Sequence, residues 1–186
     1  MKNKLEDYVV IIKDAVPKRL CNKAMKELKS IDWKQHYFYS HKTGENSSNS
    51  KELDCSIDPI GTHDQIMMHV WESISQYIKH YNFPWYDGWN GHSKLKYNRY
   101  KKGTLMTEHC DHITELFEGE KRGIPTLSVI GGLNNNYEGG EFVMFKNKTY
   151  KFNAGDIIIF PSNFLFPHKV QEVTKGTRYT YISWVY

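Results

Sequence analysis

"GGEFVMFKNKTYKFNAGDIIIFPSNFLFPHKVQEVTKGTRYTYISW", residues 139–184, is the stretch whose reading decides the fold. Short runs rich in Ile, Val, Phe and Tyr at 141–146, 149–152, 156–160, 168–173 and 178–185 alternate with turn chemistry such as "NAGD". Aromatic and β-branched side chains fit a pleated, half-buried surface, while Gly, Asn and Asp supply the conformations that tight turns need. Upstream, 94–100 and 125–131 read the same way, with "NNNYEGGE" as further punctuation. The second half of the chain is therefore a series of short strands.

The first half has another character. "YVVII" (8–12) reads as a strand, and "DAVPKRLCNKAMKELKSI" (14–31) as a helix with Pro17 in its first turn and Leu20, Ala24 and Leu28 at helical spacing. "THDQIMMHVWESISQYIKHYN" (62–82) repeats Ile66, Val70, Ile74, Tyr77 and Tyr81 on one helical face, with Thr62 or Asp64 as cap. Between them "SHKTGENSSNSKEL" (40–53) is Ser/Asn-rich and nearly free of apolar residues, which predicts an exposed, mobile loop. Two helices followed by many short strands predict an α+β, mainly β fold: a jelly roll with N-terminal helices packed on one sheet. No repeat, linker or composition break divides the chain. The expectation is one domain over 1–186, with helical support at about 14–82 and a jelly-roll core at about 93–186.

Composition narrows the function classes. A net charge of +4 spread over 186 residues forms no basic stripe to track a phosphate backbone. Three cysteines at irregular spacing imply no disulfide framework, and the expectation is a reducing, cytoplasmic setting. The N-terminal apolar run is too short for a signal peptide or a membrane span. Aromatic residues make up 15%, a share that suits strands and equally suits the wall of a pocket.

Chemistry is concentrated in "MTEHCDHI", residues 106–113. On an extended segment residues i and i+2 point to one side, so His109 and Asp111 can reach a common point while Cys110 faces away as a small packed thiol. A third ligand comes from His168, which opens a later strand, and Arg178 follows ten residues on. Two imidazoles and one carboxylate on one face of an ion leave coordination positions open, the arrangement of non-haem Fe(II) oxygenases. A chelating keto acid in those positions leaves a distal carboxylate, which the permanently charged fork of Arg178 can hold. His-x-Asp alone occurs by chance; the four residues in this order, among these strands, do not easily do so.

At this point "NRYKKGTLMTEHCD" (98–111) and residues 139–184 resemble the 2-oxoglutarate and Fe(II)-dependent dioxygenases of the prolyl 4-hydroxylase type. The family pattern Tyr-x-x-Gly, five residues, His-x-Asp is met by Tyr100, Gly103, His109 and Asp111; His168 and Arg178 match its distal histidine and its basic residue. The resemblance covers about residues 94–186. It implies a double-stranded β-helix, Fe(II) held by His109, Asp111 and His168, and 2-oxoglutarate bound to the iron with Arg178 on its far carboxylate. It also implies O2 as co-substrate, ascorbate as reductant, and hydroxylation of a C–H bond with release of succinate and CO2. Some relatives add a tyrosine on a strand after His-x-Asp, where this chain reads "SVIGGLN" (128–134). Tyr100 is then the first candidate for the second carboxylate anchor and Ser128 the next.

Other residues are assigned more plainly. His112 should turn away from the metal, His63 and His69 should face solvent from the second helix, and Trp184 either walls the pocket or packs in the core. The substrate implied by the resemblance is a proline-containing peptide or protein, with 40–53 as a lid and the aromatic stretch "YNFPWYDGWNGH" (81–92), including Trp85 and Trp89, near the mouth. Nucleobase-demethylating relatives share the start of the motif but carry a second arginine where this chain has Trp184, so nucleic acid is disfavoured. A free amino acid or other small molecule, and a non-catalytic jelly-roll binding module, complete the alternatives. No membrane partner is expected.

Overall fold

"DIIIF" carries the architecture in miniature. In the computed structural model, which describes residues 4–40, 44–47, 49–82, 91–111 and 125–186, this run forms a strand buried on both faces. Ile157 and Ile159 point into one apolar cluster, Ile158 and Phe160 into another. A strand covered on both sides needs no polar alternation, which is why the run is continuously apolar. Each such side chain contributes roughly 1.5–3 kcal/mol on leaving water.

The described elements run β1 (Val10–Ile12), α1 (Lys18–Glu27), β2 (Lys34–Gln35), β3 (Phe38–Ser40), β4 (Glu45–Ser47), β5 (Asp54–Ser56), α2 (His63–Tyr81), β6 (Lys96–Tyr100) and β7 (Met106–His109). They continue with β8 (Leu127–Gly132), β9 (Tyr137–Gly139), β10 (Phe142–Met144), β11 (Lys148–Tyr150), β12 (Ile157–Pro161), β13 (His168–Val170), β14 (Val173–Gly176) and β15 (Arg178–Val185). Seven strands form the major sheet in the order β1-β12-β8-β15-β6-β5-β2, and β11-β10-β13-β7 form a minor sheet. Every pairing within these two sheets is antiparallel.

Two cores follow from strand parity. One face of the major sheet, with Tyr97, Val129, Tyr181 and Val185, packs against Ala24 of α1 and Ile66, Val70 and Ile74 of α2. The other face, with Tyr100, Ile130 and Ile182, meets Phe142, Met144 and Val170 of the minor sheet. This is the mainly β jelly roll with helices on one sheet that the pattern predicts. Gly131 shows how tightly the helix side is filled: a Cβ there would lie 2.0 Å from the Tyr181 ring.

Several local expectations are corrected. Glu52 and Leu53 are buried and so are not part of an exposed loop, and β4, inside the stretch 40–53 read as an exposed, mobile loop, pairs with β3 just before it. Polar composition concealed a strand whose partner is only a few positions away, and a buried segment whose backbone bonds to distant Leu105. Thr62 precedes α2, but its hydroxyl and N–H donate to Glu27 Oε2 at 2.8 and 2.9 Å instead of capping α2, so they tie the two helices together. His63 and His69 are half-buried, not solvent-facing; the His63 ring lies against the Tyr97 hydroxyl and the His69 ring against Glu72. At the far edge of the sheet Asp156 accepts hydrogen bonds from Lys13 Nζ (2.8 Å) and from the backbone N–H groups of Asp14 and Asn153 (both 2.9 Å), fixing β1 to the "NAGD" turn. Among the described residues no helix is long and apolar enough to cross a membrane.

Candidate metal centre

β7 and β13 lie side by side in the minor sheet with His109 and His168 directly opposite each other. Asp111 follows two residues after His109, just past the end of β7, and its Oδ1 lies 3.4 Å from His109 Nε2 and 3.7 Å from His168 Nε2. The local i, i+2 pair and the distant histidine therefore converge.

Hydrogen bonding fixes both rings in the same tautomer. His109 Nδ1–H donates to the Thr107 carbonyl at 2.8 Å, and His168 Nδ1–H donates to the Phe166 carbonyl at 3.1 Å. A carbonyl can only accept, so it is Nε2 of each ring that faces Asp111 and that carries the lone pair when the ring is neutral. Asp111 is held in turn by Ser128, whose hydroxyl donates to Oδ2 at 2.7 Å. Ser128 Oγ is also 2.9 Å from Ser162 Oγ; since Ser128 has one proton and the carboxylate is the stronger acceptor, Ser162 is the donor of that contact.

The electrostatics suit a cation. Burial drives His168 down to about 4, against the opposing pull of Asp111, so its ring is neutral. Burial alone would raise Asp111, yet the facing His168 and His109 rings and the Ser128 hydroxyl hold its carboxyl well below the usual carboxylate range. Burial opposes charging His109, but Asp111 outweighs it and pushes the ring up. Two lone pairs and a carboxylate oxygen, all within 4.8 Å of one another, can share one divalent ion. Ligand bonds of about 2.1 Å at a right angle would bring the donors to about 3.0 Å, a closure of under an ångström for the two histidine–aspartate pairs.

These residues open on a cavity of about 660 Å³ between the two sheets. Arg178, Ile182 and Trp184 project into it from β15, Asn98 and Tyr100 from β6, and Phe142 from β10. Arg178 is 2% exposed, with its guanidinium carbon 4.9 Å from the centre of the Tyr100 ring and 5.4 Å from that of Phe152. Its Nε and Nη1 have no hydrogen-bond partner. A buried guanidinium with two unspent donors costs free energy unless an anion meets it, so the group fits a carboxylate ligand. Burial pushes the Tyr100 hydroxyl up to about 12 despite Arg178 beside it, which keeps that hydroxyl a donor.

Some sequence-based assignments change. Ser128 is fully buried, donates to Asp111, and is not among the residues that line the cavity. Cys110 is half-exposed and lines the cavity, with Sγ 3.7 Å from the Phe164 carbonyl, where a packed thiol was expected. Trp184 walls the cavity, and its indole Nε1 is buried without a partner. His112, Trp85 and Trp89 lie outside the described residues. Sequence reading missed the wall built by 34–38 and 55–58. Its His36, pushed down to about 3 by burial and then by Lys96 and His109, is neutral beside Phe38, and Phe38 lies 5.7 Å ring to ring from His109. The Lys-Gln-His-Tyr-Phe composition of this wall gave no periodic signal.

Known proteins agree with this geometry. A PKHD-type hydroxylase of Crocosphaera subtropica is 32% identical over 97 residues, which are 50% of this chain and 42% of that protein; the chain thus matches less than half the length of such relatives. A prolyl-4-hydroxylase of Pseudomonas putida superposes with a TM-score of 0.65 at 18% identity, over 96% of this chain and 91% of the other. A Trichoplax adhaerens prolyl hydroxylase, solved with a hypoxia-inducible-factor peptide fragment, gives 0.69 at 16% identity, over 96% and 83%. At such identities the superpositions speak for the fold. The family model of the 2OG-Fe(II) oxygenase superfamily matches residues 95–186, the segment that carries all four converging side chains, and the chain belongs to that superfamily.

Proposed function

We propose that the chain is a 2-oxoglutarate- and Fe(II)-dependent hydroxylase acting on prolyl residues of a peptide or protein. The observation that carries this reading is the meeting of His109, Asp111 and His168 in the same cavity as a buried, unspent Arg178 guanidinium. Fe(II) with 2-oxoglutarate and O2 would supply oxidative decarboxylation coupled to C–H hydroxylation, releasing succinate and CO2, with ascorbate as reductant.

The chain's own residues have defined tasks in that chemistry. His168 offers a neutral Nε2, His109 an Nε2 whose proton a cation would displace, and Asp111 a carboxylate that Ser128 keeps in one orientation. Arg178, with Tyr100 as a second donor, receives the distal carboxylate of 2-oxoglutarate, so the co-substrate is oriented before reaction. Apolar walls from Ile130, Phe142 and Ile182 keep water from the reacting centre. Tyr37, Phe38 and Trp184 along the cavity offer aromatic faces to a pyrrolidine ring. The shared core of α1, α2 and the major sheet supports reading 1–186 as one domain.

The test is aerobic incubation with Fe(II), ascorbate, 2-oxoglutarate and a pool of proline-containing peptides, read by mass spectrometry. Expected is one oxygen atom added at proline, with equimolar succinate. Succinate without an oxidised peptide would keep the oxygenase and refute the prolyl substrate. Absence of succinate with every substrate class, nucleobases and free amino acids included, would refute both.

A further inference from the structure

β7 is an edge strand that carries a metal-facing residue, and it is irregular at the place where it matters. His109 pairs with His168 and Met106 with Val170, so Thr107 and Glu108 together oppose the single residue Lys169. Such a bulge bends the strand and re-aims the side chain that follows, here His109. It also weakens the local ladder, at the residue whose carbonyl fixes the His109 ring.

The open side of β7 is covered by the segment 51–53, which is outside the family match. Leu105 N–H donates to the Lys51 carbonyl at 2.8 Å, and Leu53 N–H to the Leu105 carbonyl at 3.1 Å. Beyond Leu105 the segment diverges, and a side chain takes over from the backbone. Glu52, 2% exposed, accepts from Thr107 N–H at 3.3 Å and from the Thr107 hydroxyl through the same oxygen, Oε1. Its other oxygen, Oε2, is buried without a partner. A carboxylate so placed is a poor way to stabilise a fold, because a buried acceptor left unmade costs free energy.

We propose that Glu52 is a positioning residue for the metal centre: by gripping Thr107 from outside the bulge it holds the Thr107 carbonyl in place, and that carbonyl sets the tautomer and angle of His109. Each ligand then has its own support. Asp111 has Ser128, His168 has the Phe166 carbonyl, and His109 has a relay through Thr107 to Glu52. The first two supports come from within the family segment, while the third is brought by the N-terminal part of the chain. The proposal rests on the metal-site reading above.

Co(II) titration of the full chain, followed through its visible ligand-field absorption without 2-oxoglutarate or substrate, tests this directly. Glu52→Ala should weaken Co(II) binding about 10- to 100-fold and alter the absorption band, as loss of an outer support does elsewhere. Glu52→Gln should recover most of the affinity, because the amide oxygen still accepts from Thr107. Unchanged Co(II) affinity in Glu52→Ala, with only a lower melting temperature, would make Glu52 a structural residue and overturn the proposal. Should Glu52→Ala fail to fold, Thr107→Val decides: it keeps the carbonyl but loses the hydroxyl grip, so an intermediate loss of affinity supports the relay and wild-type affinity refutes it. Wild-type protein that binds no Co(II), Mn(II) or Fe(II) would overturn the metal-site reading together with this one.

Discussion

Arg178→Met separates co-substrate binding from fold stability, because the two should move in different directions. The guanidinium is buried, lies over the Tyr100 and Phe152 rings, and leaves Nε and Nη1 without partners. Methionine fills much of the same volume and removes the charge. A charged hydrogen bond is worth about 1.5–3 kcal/mol, so a two-pronged grip on a carboxylate supplies about 3 kcal/mol at the low end. That corresponds to roughly a 100-fold rise in the 2-oxoglutarate concentration needed for half-saturation. In the ligand-free protein the balance differs. Two unmet donors cost about 1–3 kcal/mol each, which offsets the roughly 0.5–2 kcal/mol gained from cation–π contact. The melting temperature should therefore hold or rise by a few degrees, at about 2–4 °C per kcal/mol for a chain of this size. Calorimetric titration of 2-oxoglutarate in the presence of Mn(II), paired with thermal denaturation without ligand, reads both. A variant that melts well below wild type yet binds 2-oxoglutarate normally would mean that the guanidinium serves the protein's own packing, and the co-substrate assignment would fall.

Other expectations follow from the same geometry. His109→Ala should abolish tight Co(II) binding and succinate formation while circular dichroism stays native; full turnover in this variant would remove His109 from the ligand set. Ser128→Ala should fold, but with Asp111 Oδ2 unsupported its metal affinity should drop about 10- to 100-fold, and a wild-type titration curve would deny the serine its orienting role. Gly131→Ala forces a methyl to within 2.0 Å of the Tyr181 ring and should cost about 3 kcal/mol or more, seen as a fall in melting temperature of at least about 6 °C; an unchanged value would contradict the packing described for that face. Asp156 is buried and held below the usual carboxylate range: burial raises it, but its bonds from Lys13 and two backbone N–H groups prevail. A depressed folded-state pKa gives stability that is present above the unfolded value near 4 and is lost as pH falls through the folded value. Urea midpoints from pH 7 to pH 2.5 should therefore fall less steeply in Asp156→Asn than in wild type, and parallel curves would show that this carboxyl is not a determinant.

The sequence made the metal centre readable for a physical reason. His109 and Asp111 are related by the strand period, which turns both to one side of a single segment, while His168 and Arg178 stand at strand starts and match the family pattern. The pairing of β13 with β7 and the packing of the two sheets then bring all four to one cavity. The double-sided burial of 157–160 and the helical stripe at 66, 70, 74 and 77 were legible on the same grounds. Ser128 was seen but its hydrogen bond to Asp111 was not, because a serine on an apolar strand does not announce its acceptor. Residues 34–38 and 54–58 were missed altogether, and 52–53 were read as part of an exposed loop. They belong to the major sheet or to the cavity wall through one another, as Lys34 pairs with Cys55, and through more distant partners such as Thr107 for Glu52 and Arg99 for Asp54. Polarity marks a loop when a segment stands alone; here it marks side chains that bond to other polar groups inside the fold.

The position of β15 ties assembly to chemistry. This strand follows every other described strand in the sequence, yet it sits in the middle of the major sheet, with β1, β12 and β8 on one flank and β6, β5 and β2 on the other. It is the keystone: in the major sheet the two flanks are joined through residues 178–185, so the sheet closes only when this strand lies between them. Such late, long-range closure is slow, and it exposes two unpaired strand edges to a chaperone or to another chain in the meantime. Because the keystone also carries Arg178, Ile182 and Trp184, no half-assembled chain owns a complete cavity.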